Sequence, residues 1–324
     1  MIGVDSRGSW SNATRDASRT LIKEIGPEIL SLRRLNTKRR LFDFCIFGFL
    51  WGVGILLVFV SDSAFNLLRY GGLAVGIILS AIALNACVLM LHEGMHQLLF
   101  KTPLLNYWCS VLLGAAVGVS FSAYRILHIF HHVNLGGQDD PDNYRAYTSN
   151  RRLEWLMQYG RLLVGSFVYL FFIPFLGWRK ETHEGRRKIA IEYVVVVGLI
   201  SALFFYFPNP LVLYCWFIPL ILVAYFTAVR GLSEHSFTDI KDPVTASRTV
   251  TSGPIAEFCL LGANYHLAHH LFPEIPSYNL RKLHQLILPR LSRTVVAKSY
   301  LSFLIAFVKA TRTFNESSIG LVEF

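Results

Sequence analysis

Eight of the 11 histidines in this 324-residue chain stand in three short clusters. His92 and His96 lie in HEGMH, His128, His131 and His132 in HIFHH, and His266, His269 and His270 in HLAHH. Residues three and four apart share one face of a helix, so each cluster sends its imidazoles into a single volume. Packing has no use for that arrangement, whereas a neutral imidazole is a ligand for iron, zinc, copper or nickel. His235, isolated in RGLSEHS, brings the candidates to nine, more than the three or four that one zinc ion takes. The surplus points to two metal ions. His183 and His284 fall outside the pattern and read as solvated or structural.

A ligand histidine usually donates its second ring N–H to a carboxylate, a carbonyl or water, which fixes the tautomer and raises basicity. Glu93, Glu234, Asp139, Asp140, Asp142 and Glu257 are the acids near the clusters, and Asn264, two residues before His266, is placed to hold a water.

The elements that must carry these side chains are membrane helices. The chain is 53% hydrophobic and 14% aromatic, with a mean hydropathy of +0.43, too apolar for a soluble domain of this size. Four stretches, 42–61, 71–91, 189–207 and 211–229, are long and apolar enough to cross a bilayer. The expectation is an all-α integral membrane protein with four transmembrane helices in two hairpins, interfacial helices and a cytoplasmic histidine-lined cap. The outer turns fall at SDSAFNLLRY and at Pro208, Asn209 and Pro210. Residues 1–41 form a basic cytoplasmic arm without a cleaved signal peptide, and 42–324 a single membrane domain.

Parity constrains two further apolar stretches. A single crossing by 104–122 or 153–178 would leave histidine clusters in opposite compartments, unable to share a centre. Both are therefore read as interfacial, the first a helix ending at the second cluster, the second interrupted by Arg161 and Pro174. Residues 295–308 are apolar but short, and cap the cytoplasmic part.

The net charge of +10 sits where it anchors and orients a membrane protein, not where it would bind nucleic acid. Arg33, Arg34, Lys38, Arg39 and Arg40 precede the first span, and Arg179, Lys180, Arg186, Arg187 and Lys188 the third, which places both groups in the cytoplasm. Cys45, Cys87, Cys109, Cys215 and Cys259 form no CxxC pair and read as reduced packing residues.

Together HEGMH, HIFHH followed by GGQDDPDNY, the single histidine of RGLSEHS and NYHLAHHLFPEIPSYNL resemble the membrane fatty acid desaturase superfamily, over roughly residues 85–285. The resemblance implies a non-haem di-iron oxygenase, its two iron ions held by His92, His96, His128, His131, His132, His235, His266, His269 and His270. It also implies O₂ as co-substrate, a lipid or acyl-chain substrate, and electrons from an external carrier. With no HPGG motif of a fused cytochrome b5 domain, the carrier is a separate ferredoxin or cytochrome b5. Some relatives carry an asparagine one helical turn before the isolated histidine, where this chain has Gly231. Trp108, Phe121, Tyr124 and Trp155 are candidates for lining an acyl tunnel.

The leading reading is an acyl desaturase. A hydroxylase or ketolase of the same superfamily keeps the iron and changes the product, and the boxes do not separate the two. A metal transporter or haem protein would place its ligands within the spans rather than at their ends, and a zinc hydrolase would need fewer ligands and a general base.

Overall fold

The computed structural model describes residues 11–61 and 66–311. In chain order its helices are α1 (Asn12–Ile25), α2 (Pro27–Leu32), α3 (Thr37–Ser61), α4 (Asn66–Met95), α5 (Pro103–Ala116), α6 (Phe121–Asn134), α7 (Arg151–Val164) and α8 (Phe167–Lys180). There follow α9 (His183–Tyr206), α10 (Asn209–Val212), α11 (Ile218–His235), α12 (Pro254–Cys259), α13 (His266–Leu271), α14 (Ser277–Ile287) and α15 (Tyr300–Thr311). The only strands among the described residues, β1 (Thr249–Val250) and β2 (Val296–Ala297), pair in parallel. The fold is all-α. Chain contacts divide it into two compact units.

The membrane unit comprises Asn36–Ile126 and Gly165–Phe226. Among the described residues four helices are long and apolar enough to cross a bilayer: Thr37–Ser61, Leu68–Met95, His183–Tyr206 and Asn209–His235, the last containing a π-helical turn at Leu213–Phe217. These are the four expected spans. Each starts earlier than its apolar window, and in α3 and α9 the added residues include the charged Lys38 and Arg187. The α3/α4 hairpin is antiparallel, and Gly54 and Gly76 set its closest approach: a Cβ on Gly76 would stand 2.8 Å from the Gly54 carbonyl oxygen. Of the turn expected at SDSAFNLLRY, residues 62–65 lie outside the described residues. At the second hairpin Phe204 meets Trp216 edge to face, ring centroids 6.4 Å apart.

Both extra apolar stretches differ from expectation in where they break. The helix expected over 104–122 ends at Ala116, and Gly118, at φ +77°, turns the chain into α6. A polar knot fastens that turn: Glu192 of α9 accepts from the Tyr107 hydroxyl at 2.8 Å, the Ser120 hydroxyl at 2.6 Å, and the Ser122 hydroxyl and N–H at 2.6 and 2.8 Å. In 153–178 neither Arg161 nor Pro174 interrupts a helix. The break falls at Gly165, at φ +63°, where a Cβ would lie 3.1 Å from the Ala224 carbonyl carbon and the next residue, Ser166, donates its N–H to the Ala224 carbonyl at 3.1 Å.

The histidine unit comprises the described residues of Met1–Leu35, Leu127–Val164 and Thr227–Phe324. The amino-terminal arm is more than a charged tail. Its α1 and α2 bury Leu21, Ile29 and Leu32 against Leu267, Leu271, Phe272 and Leu280 of the third histidine segment, each burial stabilising by about 1.5–3 kcal/mol. Ser18 donates to the Leu271 carbonyl at 2.6 Å. Among the described residues, which include all five cysteines, there is no disulfide.

Candidate metal centre

Seven of the nine candidate ligands fall in the histidine unit. His128, His131 and His132 project from α6, His235 is the last residue of α11, and His266, His269 and His270 lie on α13, all six residues of which are buried. The imidazoles order themselves into two chains of Nε2 atoms. His132 Nε2 lies 3.0 Å from His128 Nε2 and 3.1 Å from His269 Nε2. His266 Nε2 lies 3.0 Å from His235 Nε2 and 2.9 Å from His270 Nε2. Ligand nitrogens of His131, His235 and His270 also fall within 4.8 Å of one another, as do a carboxylate oxygen of Glu234 and ligand nitrogens of His235 and His266. The two chains adjoin, since the His132 and His270 rings stack with centroids 4.4 Å apart.

This donor set fits metal ions. The central nitrogen of each chain has either one proton or one lone pair and cannot hydrogen-bond both its neighbours at once, whereas a cation accepts all three lone pairs together. Nitrogens bonded to one ion at about 2.1 Å and at right angles are about 3.0 Å apart, which is the spacing seen. Burial first, and then the neighbouring His132, His266, His235 and His131, hold His270 well below the ordinary imidazole value. Its lone pair is therefore available at neutral pH.

Acids orient the rings. Asp140 lies 3.0 Å from His131 Nδ1 and accepts the main-chain N–H groups of Gly136 at 2.7 Å and Asp142 at 2.9 Å. Burial opposes charge on His131, but Asp140, by charge and hydrogen bond, then Asp142 and Glu234, outweigh it and lift the imidazole to about 9. Burial would likewise raise Asp140, yet pairing with His131 and the two N–H groups brings it below the ordinary carboxylate range. Glu234 stands 3.5 Å from His266 Nδ1 and 3.5 Å from Arg230 Nε. Asp142 lies 3.7 Å from His131 Nδ1, and Asp139 is exposed. Glu257 takes the Tyr265 hydroxyl and, at 3.1 Å, Arg281. Asn264 donates its amide to the Val250 carbonyl at 3.0 Å.

The membrane unit carries the first cluster. His92 and His96 meet edge to face at the end of α4, ring centroids 5.2 Å apart. Burial, followed by the Arg125 cation, pushes His96 down to about 3. Between them Glu93 pairs with Arg40 at 2.6 Å, and Arg40, expected among the exposed anchoring charges, is only 1% exposed. Phe121 is buried on Tyr107, Tyr124 faces Tyr169, and Trp108 is 47% exposed. Trp155 belongs to the histidine unit, on Tyr159. His183 is exposed, whereas His284 is buried beside Tyr265.

Two contacts escape a reading for ligand patterns. A Cβ on Gly231 would run into the Arg161 guanidinium, which donates to the Tyr144 hydroxyl at 3.2 Å. The missing side chain one turn before His235 thus leaves a seat for an arginine from α7. The second is Arg248, 0% exposed, whose guanidinium ends on main-chain carbonyls beside His235. Nothing in the spacing of histidines announces either arginine.

A family model described as fatty acid desaturase matches residues 70–302, well over half of the chain. The chain belongs to the fatty acid desaturase family. Within it, the chain is similar to a dihydrorhizobitoxine desaturase of Bradyrhizobium elkanii, 25% identical over 223 residues, covering 59% of this chain and 60% of that one. It is similar also to a putative sphingolipid delta(4)-desaturase/C4-monooxygenase of Caenorhabditis elegans, 25% identical and covering 61% and 54%. A third relative, the sn-1 oleoyl-lipid 12-desaturase of Arthrospira platensis, is 23% identical and covers 63% and 65%. The chain thus spans less than two thirds of the length of each of these relatives.

Proposed function

We propose that this chain is an O₂-dependent di-iron desaturase that introduces a C=C bond into an acyl chain. The observation that carries the reading is the two adjoining chains of Nε2 atoms, His128–His132–His269 and His235–His266–His270, in a member of the desaturase family. We assign His131 to the same ligand set, and, from the sequence pattern alone, His92 and His96 as well. When bound, the two irons supply O₂ chemistry strong enough for an unactivated C–H bond, which acid and base side chains cannot break. In the balanced reaction two adjacent methylenes lose two hydrogens, O₂ receives these with two electrons and two protons, and two waters leave.

The chain's own residues hold and orient. Asp140 fixes the His131 tautomer, Glu234 stands behind His266, and the buried walls of α13 keep bulk water from the imidazoles. Electrons come from a separate ferredoxin or cytochrome b5, and basic residues such as Arg34 and Lys38 offer an acidic carrier its dock on the cytoplasmic side. The acyl substrate enters from the bilayer. Phe121, Tyr124, Trp108 and Trp155 remain our candidates for contact with it.

Hydroxylation is the second reading, favoured by the relative whose name joins a desaturase to a C4-monooxygenase. Mass spectrometry of lipids from cells expressing the chain separates the two, because desaturation removes two hydrogens and hydroxylation adds one oxygen. Purified protein that holds no iron and changes no lipid would sink both.

A further inference from the structure

The short segment Arg248–Val250 touches both halves of one imidazole chain. At its front, Arg248 donates its main-chain N–H to the Glu234 carbonyl at 2.8 Å. Its guanidinium donates to the carbonyls of Ser233 at 2.7 Å, Ser236 at 2.8 Å and Phe237 at 3.3 Å. These groups bracket His235, and Phe237, at φ +58°, is where the helical path of α11 ends. Two residues on, Val250 donates its N–H to the Asn264 carbonyl at 3.0 Å and accepts the Asn264 amide at 3.0 Å, two residues before His266. Thr249 and Val250 are then pinned by β2 through Val296 and Ala297.

A guanidinium at this place is costly to bury. It is offset by three carbonyls at the negative end of a helix and by the Phe303 ring, 5.2 Å from the guanidinium carbon. An apolar side chain would fill the same space more cheaply, so what the arginine adds is direction: it fixes the last turn of α11 and with it the ring of His235.

We propose that Arg248 is a positioning residue for the metal ion served by His235, His266 and His270, and that its removal is felt at that ion before the one served by His128, His132 and His269. The proposal rests on the two-metal reading above. Outer groups that orient metal ligands typically change affinity 10–100-fold, so removing Arg248 should weaken one metal site by about that factor and spare the other.

The test is cobalt(II) titration of metal-free, full-length protein in detergent, followed by visible absorption, with circular dichroism and thermal melting alongside. Wild type should take up two equivalents. Arg248→Gln should keep one at wild-type affinity and bind the second about 10–100-fold more weakly, and Arg248→Lys, which keeps the charge but not the three-way fork, should fall between. Two equivalents at unchanged affinity in Arg248→Gln, or equal weakening of both together with a lowered melting temperature, would overturn the assignment. Should the Gln variant fail to fold, the Lys variant decides by the same split. Wild type that binds no cobalt would instead overturn the metal reading itself, and this inference with it.

Discussion

Asp140 lies 3.0 Å from Nδ1 of His131 and leaves the opposite nitrogen of that ring facing the other imidazoles. The loop Gly136–Asp142 closes around the carboxylate through two main-chain N–H groups, so the acid is fixed before any metal arrives. In Asp140→Asn the ring keeps its neighbour but loses the charge that makes it a strong donor. Iron affinity should fall about 10–100-fold, with far-ultraviolet circular dichroism unchanged, as measured by competition with a chelator of known affinity. Equal affinity in the variant would remove Asp140 from the site.

His269 Nε2 lies 3.1 Å from His132 Nε2 on a fully buried helix, whereas His183 is exposed at the start of α9. His269→Ala should abolish turnover and lower iron per chain, and His183→Ala should do neither. Metal analysis with product mass spectrometry on both variants checks this. Full activity in His269→Ala would refute the ligand assignment.

The convergence of seven imidazoles was legible in advance, because 3.6-residue periodicity leaves its mark at short range. The four spans were equally legible from apolar length. What stayed hidden depends on partners far away in sequence. Gly165 and Gly118 break helices because of the backbone conformations they adopt, and Gly165 lies against the main chain at Ala224, while Arg161 and Pro174, the apparent breakers, sit inside helices. Arg40 reads as one more flanking charge until Glu93, 53 residues away, is set beside it. The α1–α2 arm did leave a signal, Leu21, Ile25, Ile29 and Leu32 at helical spacing, but its charges masked it.

The Arg40–Glu93 pair lies inside the membrane unit with both side chains almost fully buried. Removing one partner of such a pair strands the other charge and costs about 3–5 kcal/mol, whereas removing both is often nearly neutral. Arg40→Met should therefore lower stability by that amount in detergent denaturation, and Arg40→Met with Glu93→Gln should recover part of it, since Asp43, 3.4 Å from Arg40, loses that partner in both variants and keeps Arg39 at 3.2 Å. Equal losses in the single and double variants would mean that the pair contributes through shape alone.

His284 offers a test in pH. It is buried against Tyr265, ring centroids 5.2 Å apart, and its Nδ1 has no hydrogen-bond partner among the described residues. Burial holds its pKa below the ordinary 6.5. An unfolded chain therefore takes up a proton at this residue before the folded one does, so stability is lost as pH falls from the unfolded value towards the folded one. The native state gains nothing from the ring's charge, and a leucine fills similar volume without a proton to bind. In iron-free protein, His284→Leu should shrink the drop in melting temperature between about pH 7.5 and about pH 5.5 while leaving stability at the upper pH unchanged or higher. The other buried imidazoles are common to both proteins, so the difference between the two pH slopes isolates this one residue. Parallel slopes would mean that His284 keeps its proton equilibrium on folding, and that its burial does not govern its charge.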